Sequence, residues 1–490
     1  MKKRWLCMFL TALIVTLFCA CNGCNGCRRE RKIASSYEIS VEYVPENHTL
    51  TGTEKITFEN VTDNEISVLK FQLYANAYRE DALYKAVSPA LETSAYYTGK
   101  SYGEIVVSSV NGAKSWEVMG EDENVLCAYL ERPLYYGDKV VLDIAFTLRL
   151  AKVNHRIGVT KRTVNLGAFF PMLCGWKNGG FYETAYYSEG DPFYSDCADF
   201  TLTIKTPKEY LIATSGAPIG ERILERKREY TASINSARDF AVVLSNEYKV
   251  LERELGDAIV AYYCYEDYDD TRAKANLDTV CEAFSYYEDT FGAYPYKRYS
   301  VAQTGFCTGG MEYAGLVMIS DSLAEKDLAR VLAHETAHQW WYAVVGSDQI
   351  ENAWQDEGLA EYSAITFLEN YEKYGETREN AVAESLKEYR SYYDVYGSVL
   401  GRTNTAMVRH LKEYISGYEY KCLAYDKAVV MFDTLRKSVG DKKFFGGLKK
   451  YYKDNAFALV DEGALIGAFE KTGLDVHGFF DAFLQGKGVL

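Results

Sequence analysis

The chain has 490 residues, 48% of them hydrophobic and 25% charged, which is ordinary for a globular protein long enough to hold two or three cores. Its formal net charge of −15 has the wrong sign for a nucleic-acid partner and leaves only the basic N-terminal stretch suited to anionic lipid. Seven of the twelve cysteines are scattered through the body without a C-x-x-C, which excludes a disulfide-built scaffold and leaves a Cys174–Cys197 bridge as an open pairing.

Taken in chain order, residues 1–20 read as an export leader: Lys2, Lys3 and Arg4, then an apolar run too short to span a bilayer comfortably. The run ends in Phe18-Cys19-Ala20-Cys21, which resembles a bacterial lipobox with Cys21 as the lipidated residue and Cys24 as the alternative. The expectation is an exported bacterial lipoprotein anchored at the outer face of a membrane. Residues 21–36 then form a basic tether whose Arg28, Arg29, Arg31 and Lys32 suit anionic head groups. From 37 to 250 the texture is β-rich, with alternating runs at 39–43, 52–58, 140–150 and 199–206. From 251 to 490 it becomes mixed and then helical. A helix is predicted over 272–291, stopping at Gly292. A strand follows over 300–304, and 314–319 is extended. Ser320 or Ser322 is placed to cap the next helix, and 425–484 reads as helical throughout.

The chemistry lies in His334-Glu335-Thr336-Ala337-His338 and in Glu357, which follows after eighteen intervening residues. Histidines at i and i+4 project from one face of a helix and can reach one ion. Two histidines and a glutamate leave the fourth position of a tetrahedral zinc for water. Glu335 then reaches that water as a general base, and one Zn2+ per chain is the implied cofactor. Glu361, one turn beyond Glu357, is a candidate acceptor for the outer N–H of a zinc-bound histidine. His48, His155, His410 and His477 lack metal spacing, and Trp340, Trp341 and Trp354 read as packing around the metal helices.

Four segments carry a family resemblance: HETAHQWW from His334, WQDEGLAEY from Trp354, GGMEY from Gly309, and Tyr425-Asp426-Lys427-Ala428. In order and spacing they resemble the M1 metallopeptidases, the gluzincin aminopeptidases similar to aminopeptidase N and leukotriene A4 hydrolase. The resemblance runs from about Tyr37 to the C-terminus. It implies a multidomain β plus α+β fold, with an N-terminal saddle-like β-domain over 37–250 and a thermolysin-like, mainly helical catalytic domain over 251–490. The substrates it implies are peptides, cut at their N-terminal residue. Glu312 would face the free α-amine, Gly309, Gly310 and Met311 would line the strand edge where the peptide backbone pairs, and Tyr425 would donate to the oxyanion. Tyr313 stands where the family has Asn, which alters the first subsite. The chain also ends where the family's catalytic domain ends, so a short form with a more open cleft is expected. A zinc endopeptidase of the same fold is the alternative reading. An inactive surface-binding module is a third, opposed by the intact ligands and Glu335.

Overall fold

The computed structural model describes residues 33–401 and 403–487. The leader, Cys21, Cys24 and the four basic tether residues lie outside the described residues, and so does the expectation of lipidation. Among the described residues no helix is long and apolar enough to cross a membrane.

Alternation builds the N-terminal region. In Ser35–Val44 the side chains of Tyr37, Ile39, Val41 and Tyr43 point inward and their neighbours outward. This strand pairs antiparallel with Thr49–Glu59 and parallel with Ala198–Pro207. They sit near the middle of a seven-stranded sheet ordered Ala217–Leu224, Lys227–Ala237, Ala198–Pro207, Ser35–Val44, Thr49–Glu59, Lys139–Arg149, Glu104–Asn111. Two four-stranded sheets and a two-stranded pair, Trp176–Lys177 with Gly180–Phe181, complete the region. Glu54 is an exception to the pattern. It occupies an inward position between Ile39 and Ile144, fully buried, and among the described residues neither of its carboxylate oxygens has a partner.

The helical region opens on a five-stranded sheet ordered Tyr248–Leu255, Ala258–Tyr265, Arg298–Thr304, Leu316–Ser320, Gly310–Tyr313. Its last strand, Gly310–Tyr313, runs antiparallel to its one neighbour and forms the sheet's edge. Helix α1 (Asp270–Thr290) is capped by Asp269, which accepts from Arg272 N, and it ends before Gly292 at φ +147. Helix α2 (Glu325–Ala337) carries the first histidine, and His338 is its C-cap. The predicted serine cap is not used: Ala324 is the N-cap, and Ser320 Oγ donates instead to Phe306 O while pairing with Ser322. Glu325 and Asp327 in the first turn complement the helix dipole without a cap. Helix α3 (Ala353–Glu369) carries Glu357.

Among the elements not foreseen are α4 (Arg378–Leu400) and a π-helical turn, Lys421–Asp426, which leads into α5 (Lys427–Val439). The predicted helical tail is also broken by the short strand Leu459–Val460, which pairs parallel with Gly346–Ser347. Trp340, Trp341 and Trp354 are fully buried, as expected. Cys174 is a buried free thiol, so the bridge to Cys197 is not formed.

The β region and the helical region pack as one compact unit. Arg238 and Asp239 of the β region reach into the helical region. The buried Arg238 guanidinium donates to Tyr342 O at 2.7 Å, Ser195 O at 3.1 Å and Val344 O at 3.4 Å, and also to Ala458 O. Asp239 accepts from Ala314 N at 3.0 Å and from the Tyr342 hydroxyl, and burial pushes its pKa up to about 6.

Candidate metal centre

The helical period brings His334 and His338 to one face of α2, and α3 crosses so that Glu357 meets them. The three donor atoms form a triangle: His334 Nε2 to His338 Nε2 is 3.0 Å, and Glu357 Oε2 lies 3.3 and 3.4 Å from the two nitrogens. Ligands on a tetrahedral zinc with bonds of 2.0–2.1 Å are about 3.3 Å apart, so the set matches a single cation. Glu357 Oε2 is buried and has no hydrogen bond, which leaves its lone pairs for an ion. The outer nitrogens are occupied. His334 Nδ1 donates to Glu361 Oε2 at 2.8 Å, and His338 Nδ1 donates to Asp356 Oδ1 at 2.8 Å and Trp341 O at 3.0 Å. Those partners are acceptors only, so each ring carries its proton on Nδ1 and turns its Nε2 lone pair inward. The Glu361 carboxylate is in turn gripped by Arg330 Nε at 2.8 Å. The residues present therefore fit zinc.

Protons compete with a metal for this cluster. Burial works against charge on His334, but Glu357 and Glu361 override it and raise its pKa to about 9. Glu335 is 5% exposed and its Oε2 is unpartnered. Burial raises its pKa to about 7, with the two imidazoles pulling the other way. Gly310 makes room for it: a Cβ there would overlap the Glu335 carboxylate.

Glu312 and Met311 lie on the edge strand with Gly310, and Gly309 immediately precedes it, its carbonyl accepting from Ser320 N at 3.0 Å. The Glu312 carboxylate is 4% exposed, and burial followed by the nearby Asp191 raises its pKa well above the ordinary value. Donor atoms of Glu312, His338 and Asp356 all lie within 4.8 Å of one another, so the carboxylate is adjacent to the ligand set. Tyr313 packs against Phe193, with ring centroids 6.4 Å apart. Its ring is 1% exposed and packs where Gly167 of the β region lacks a side chain. The residue at the position of the family's Asn therefore makes a contact with the β region.

Tyr425 is carried on the π-helical turn, and its ring stacks on His334 with centroids 5.7 Å apart at 15°. Burial and the nearby Glu357 raise the phenol's pKa, which keeps it a donor. Gly358 allows this approach, because a Cβ there would overlap Ala428 at the start of α5.

Sequence reasoning missed several neighbours. Tyr420 donates to Glu357 Oε1 at 3.4 Å. From the β region, the buried Arg156 pairs with Asp191 and places its Nε 2.9 Å from Met311 Sδ. Gln349 sits between Glu312 and Asp356. Asp356, next to Glu357 in sequence, was the one within reach of a local argument: the second histidine also needs an outer acceptor.

Two imidazoles and a carboxylate converging on one point give the fold a donor set suited to a single metal ion. Residues 275–483 match the Peptidase family M1 domain, and over that stretch the chain is similar to this family. Aminopeptidase N of Streptomyces lividans is 24% identical over 309 residues, covering 60% of this chain and 36% of its own length. Leukotriene A-4 hydrolase of Xenopus laevis is 28% identical over 181 residues, 36% of this chain and 29% of its own. The chain spans about a third of the length of the curated relatives it matches. A mutant M1 zinc metallopeptidase from Deinococcus radiodurans, solved with a Tyr-Ser-Ala substrate, superposes with a TM-score of 0.64 at 17% identity, covering 94% of this chain and 95% of that one. That likeness establishes the shared fold.

Proposed function

We propose that the protein is a zinc-dependent aminopeptidase that removes N-terminal residues from peptides. The observation that carries this reading is the buried Glu312 carboxylate, held on the free edge strand next to the ligand set. An extended peptide adds to that edge by backbone hydrogen bonds. Its terminal ammonium, once stripped of water, needs a fixed anion, which Glu312 supplies. Zinc held by His334, His338 and Glu357 would supply a Lewis acid and a lowered water pKa at that point. Glu335 takes the proton of the attacking water and returns it to the leaving amine, a role typically contributing about 10²–10⁴-fold. The Tyr425 phenol donates to the developing oxyanion, where one such donor contributes about 2.7–4 kcal/mol.

The deciding experiment compares free and N-acetylated peptides. Free peptides should be cut and blocked ones spared, and loss of activity with a chelator should be reversed by zinc. Equal cleavage of blocked peptides would establish the endopeptidase reading instead. Zinc binding without turnover of any peptide would favour a binding module.

We also propose, on the leader and lipobox alone, that the mature chain is tethered to the outer face of a membrane through Cys21, or Cys24 in its place. Mass spectrometry of the N-terminal peptide identifies the modified residue. A protein that stays with membranes after both cysteines become serine sinks the proposal.

A further inference from the structure

We infer that Gln349 is a positioning residue that transmits occupancy of the amine subsite to the metal ligand His338. The inference rests on the reading of Glu312 as the amine anchor. Gln349 is 2% exposed, and its side-chain Nε2 donates one hydrogen to Glu312 Oε1 at 3.1 Å and the other to Asp356 Oδ2 at 2.6 Å. Asp356 accepts from His338 Nδ1 at 2.8 Å through its other oxygen. An unbroken chain of hydrogen bonds therefore runs from the amine anchor to a metal-binding imidazole. Both partners of the amide are carboxylate oxygens, so its NH2 must face them and its orientation is fixed. Its Oε1 is buried without a partner, which means that the amide is placed for its two donations.

The loop under Gln349 is itself held still. Asp348 Oδ1 accepts from Ile350 N and Glu351 N, both at 3.1 Å, and Asp348 Oδ2 accepts from Lys177 of the β region at 2.5 Å. These contacts tie the chain down on both sides of Gln349. Its amide can redistribute the two hydrogen bonds that it donates.

The consequence is electronic. A substrate ammonium at Glu312 competes for the lone pairs that Gln349 uses. The amide then donates more strongly to Asp356, and Asp356 becomes a weaker acceptor for the His338 N–H. The imidazole gives up less electron density at Nε2, and an ion bound there becomes a stronger Lewis acid. A free α-amine should therefore raise turnover as well as tighten binding, and part of the selectivity for unblocked peptides should appear in kcat.

The test uses Gln349→Met, which keeps volume and removes both N–H groups. Asp356→Asn breaks the same link from the other end, because its amide can still accept from His338 but presents N–H to Gln349. Peptides with a free α-amine are compared with their desamino analogues. In the wild type the analogue should lose kcat as well as affinity. In either variant the kcat gap should narrow by about 10-fold, the lower end for partners of metal ligands, while the KM gap remains.

A second readout needs no turnover: the zinc dissociation constant, by chelator competition, with and without saturating phenethylamine. The amine should weaken zinc retention more in the wild type than in the variants, whereas N-acetylphenethylamine should change neither. Equal kcat gaps and equal zinc shifts in all three proteins overturn the inference. Glu312→Ala separates the failures. If it leaves amine preference intact, the anchor reading is wrong. If it abolishes amine preference while the Gln349 and Asp356 variants behave as wild type, only the transmission is wrong.

Discussion

Glu335 and Glu54 are both buried carboxylates with unpartnered oxygens, one in the helical region and one in the β region, and their surroundings make them opposites. Burial raises both pKa values. For Glu335 two imidazoles pull back, leaving it at about 7, and Gly310 is cut away to give its carboxylate room. For Glu54 burial is the resolved cause, and its strand neighbours on the same face are Ile39 and Ile144. Burial alone therefore identifies no functional acid; opposing charges and space beside the group do.

The largest expected effect is on turnover. Glu335→Gln should lower kcat by about 10²–10⁴-fold while zinc content stays stoichiometric. Retained activity would remove the contrast with Glu54. Next comes the support of the metal. Glu361→Ala should weaken zinc binding by about 10–100-fold, read by chelator competition, because His334 loses the acceptor that orients it; unchanged affinity would mean that Arg330 and the helix suffice. Gly310→Ala should cost less than Glu335→Gln and act through it: the new methyl displaces the Glu335 carboxylate, so kcat falls and zinc affinity does not. The smallest effect is on stability. Glu54→Leu should stabilise the fold by about 1–3 kcal/mol at neutral pH, the cost of an unsatisfied buried group. The sign with pH follows from the raised folded pKa. Glu54 is least costly below its unfolded pKa of about 4.3 and destabilises increasingly as pH rises above it. The gain from Glu54→Leu, measured as a melting-temperature difference, should therefore grow from pH 4 towards 7. A gain that shrinks over that range would show that Glu54 has a partner.

The sequence disclosed what periodicity encodes. Residues at i and i+4 placed His334 and His338 on one face, and strict alternation drew the strands of the β region. It was silent where a contact joins distant segments. Asp191 pairs with Arg156 across 35 residues, and Gln349 reaches Glu312 across 37, separations that leave no local pattern. Ser320 and Ser322 looked like helix caps because local rules cannot show that Phe306 O has already claimed the Ser320 hydroxyl. Helix α4 escaped because few of its side chains are buried, which weakens the apolar period. The π-helical turn that aims Tyr425 rests on the close approach that Gly358 allows, which becomes visible only when α3 and α5 meet.

Arg238 and Asp239 have a practical consequence for anyone handling the molecule. The edge strand Gly310–Tyr313 is suspended from them through Ala314, and the chain beyond the metal helices is tied in through Ala458. Removing the β region to obtain a shorter fragment would remove both attachments at once. The smallest working fragment therefore has to include the β region.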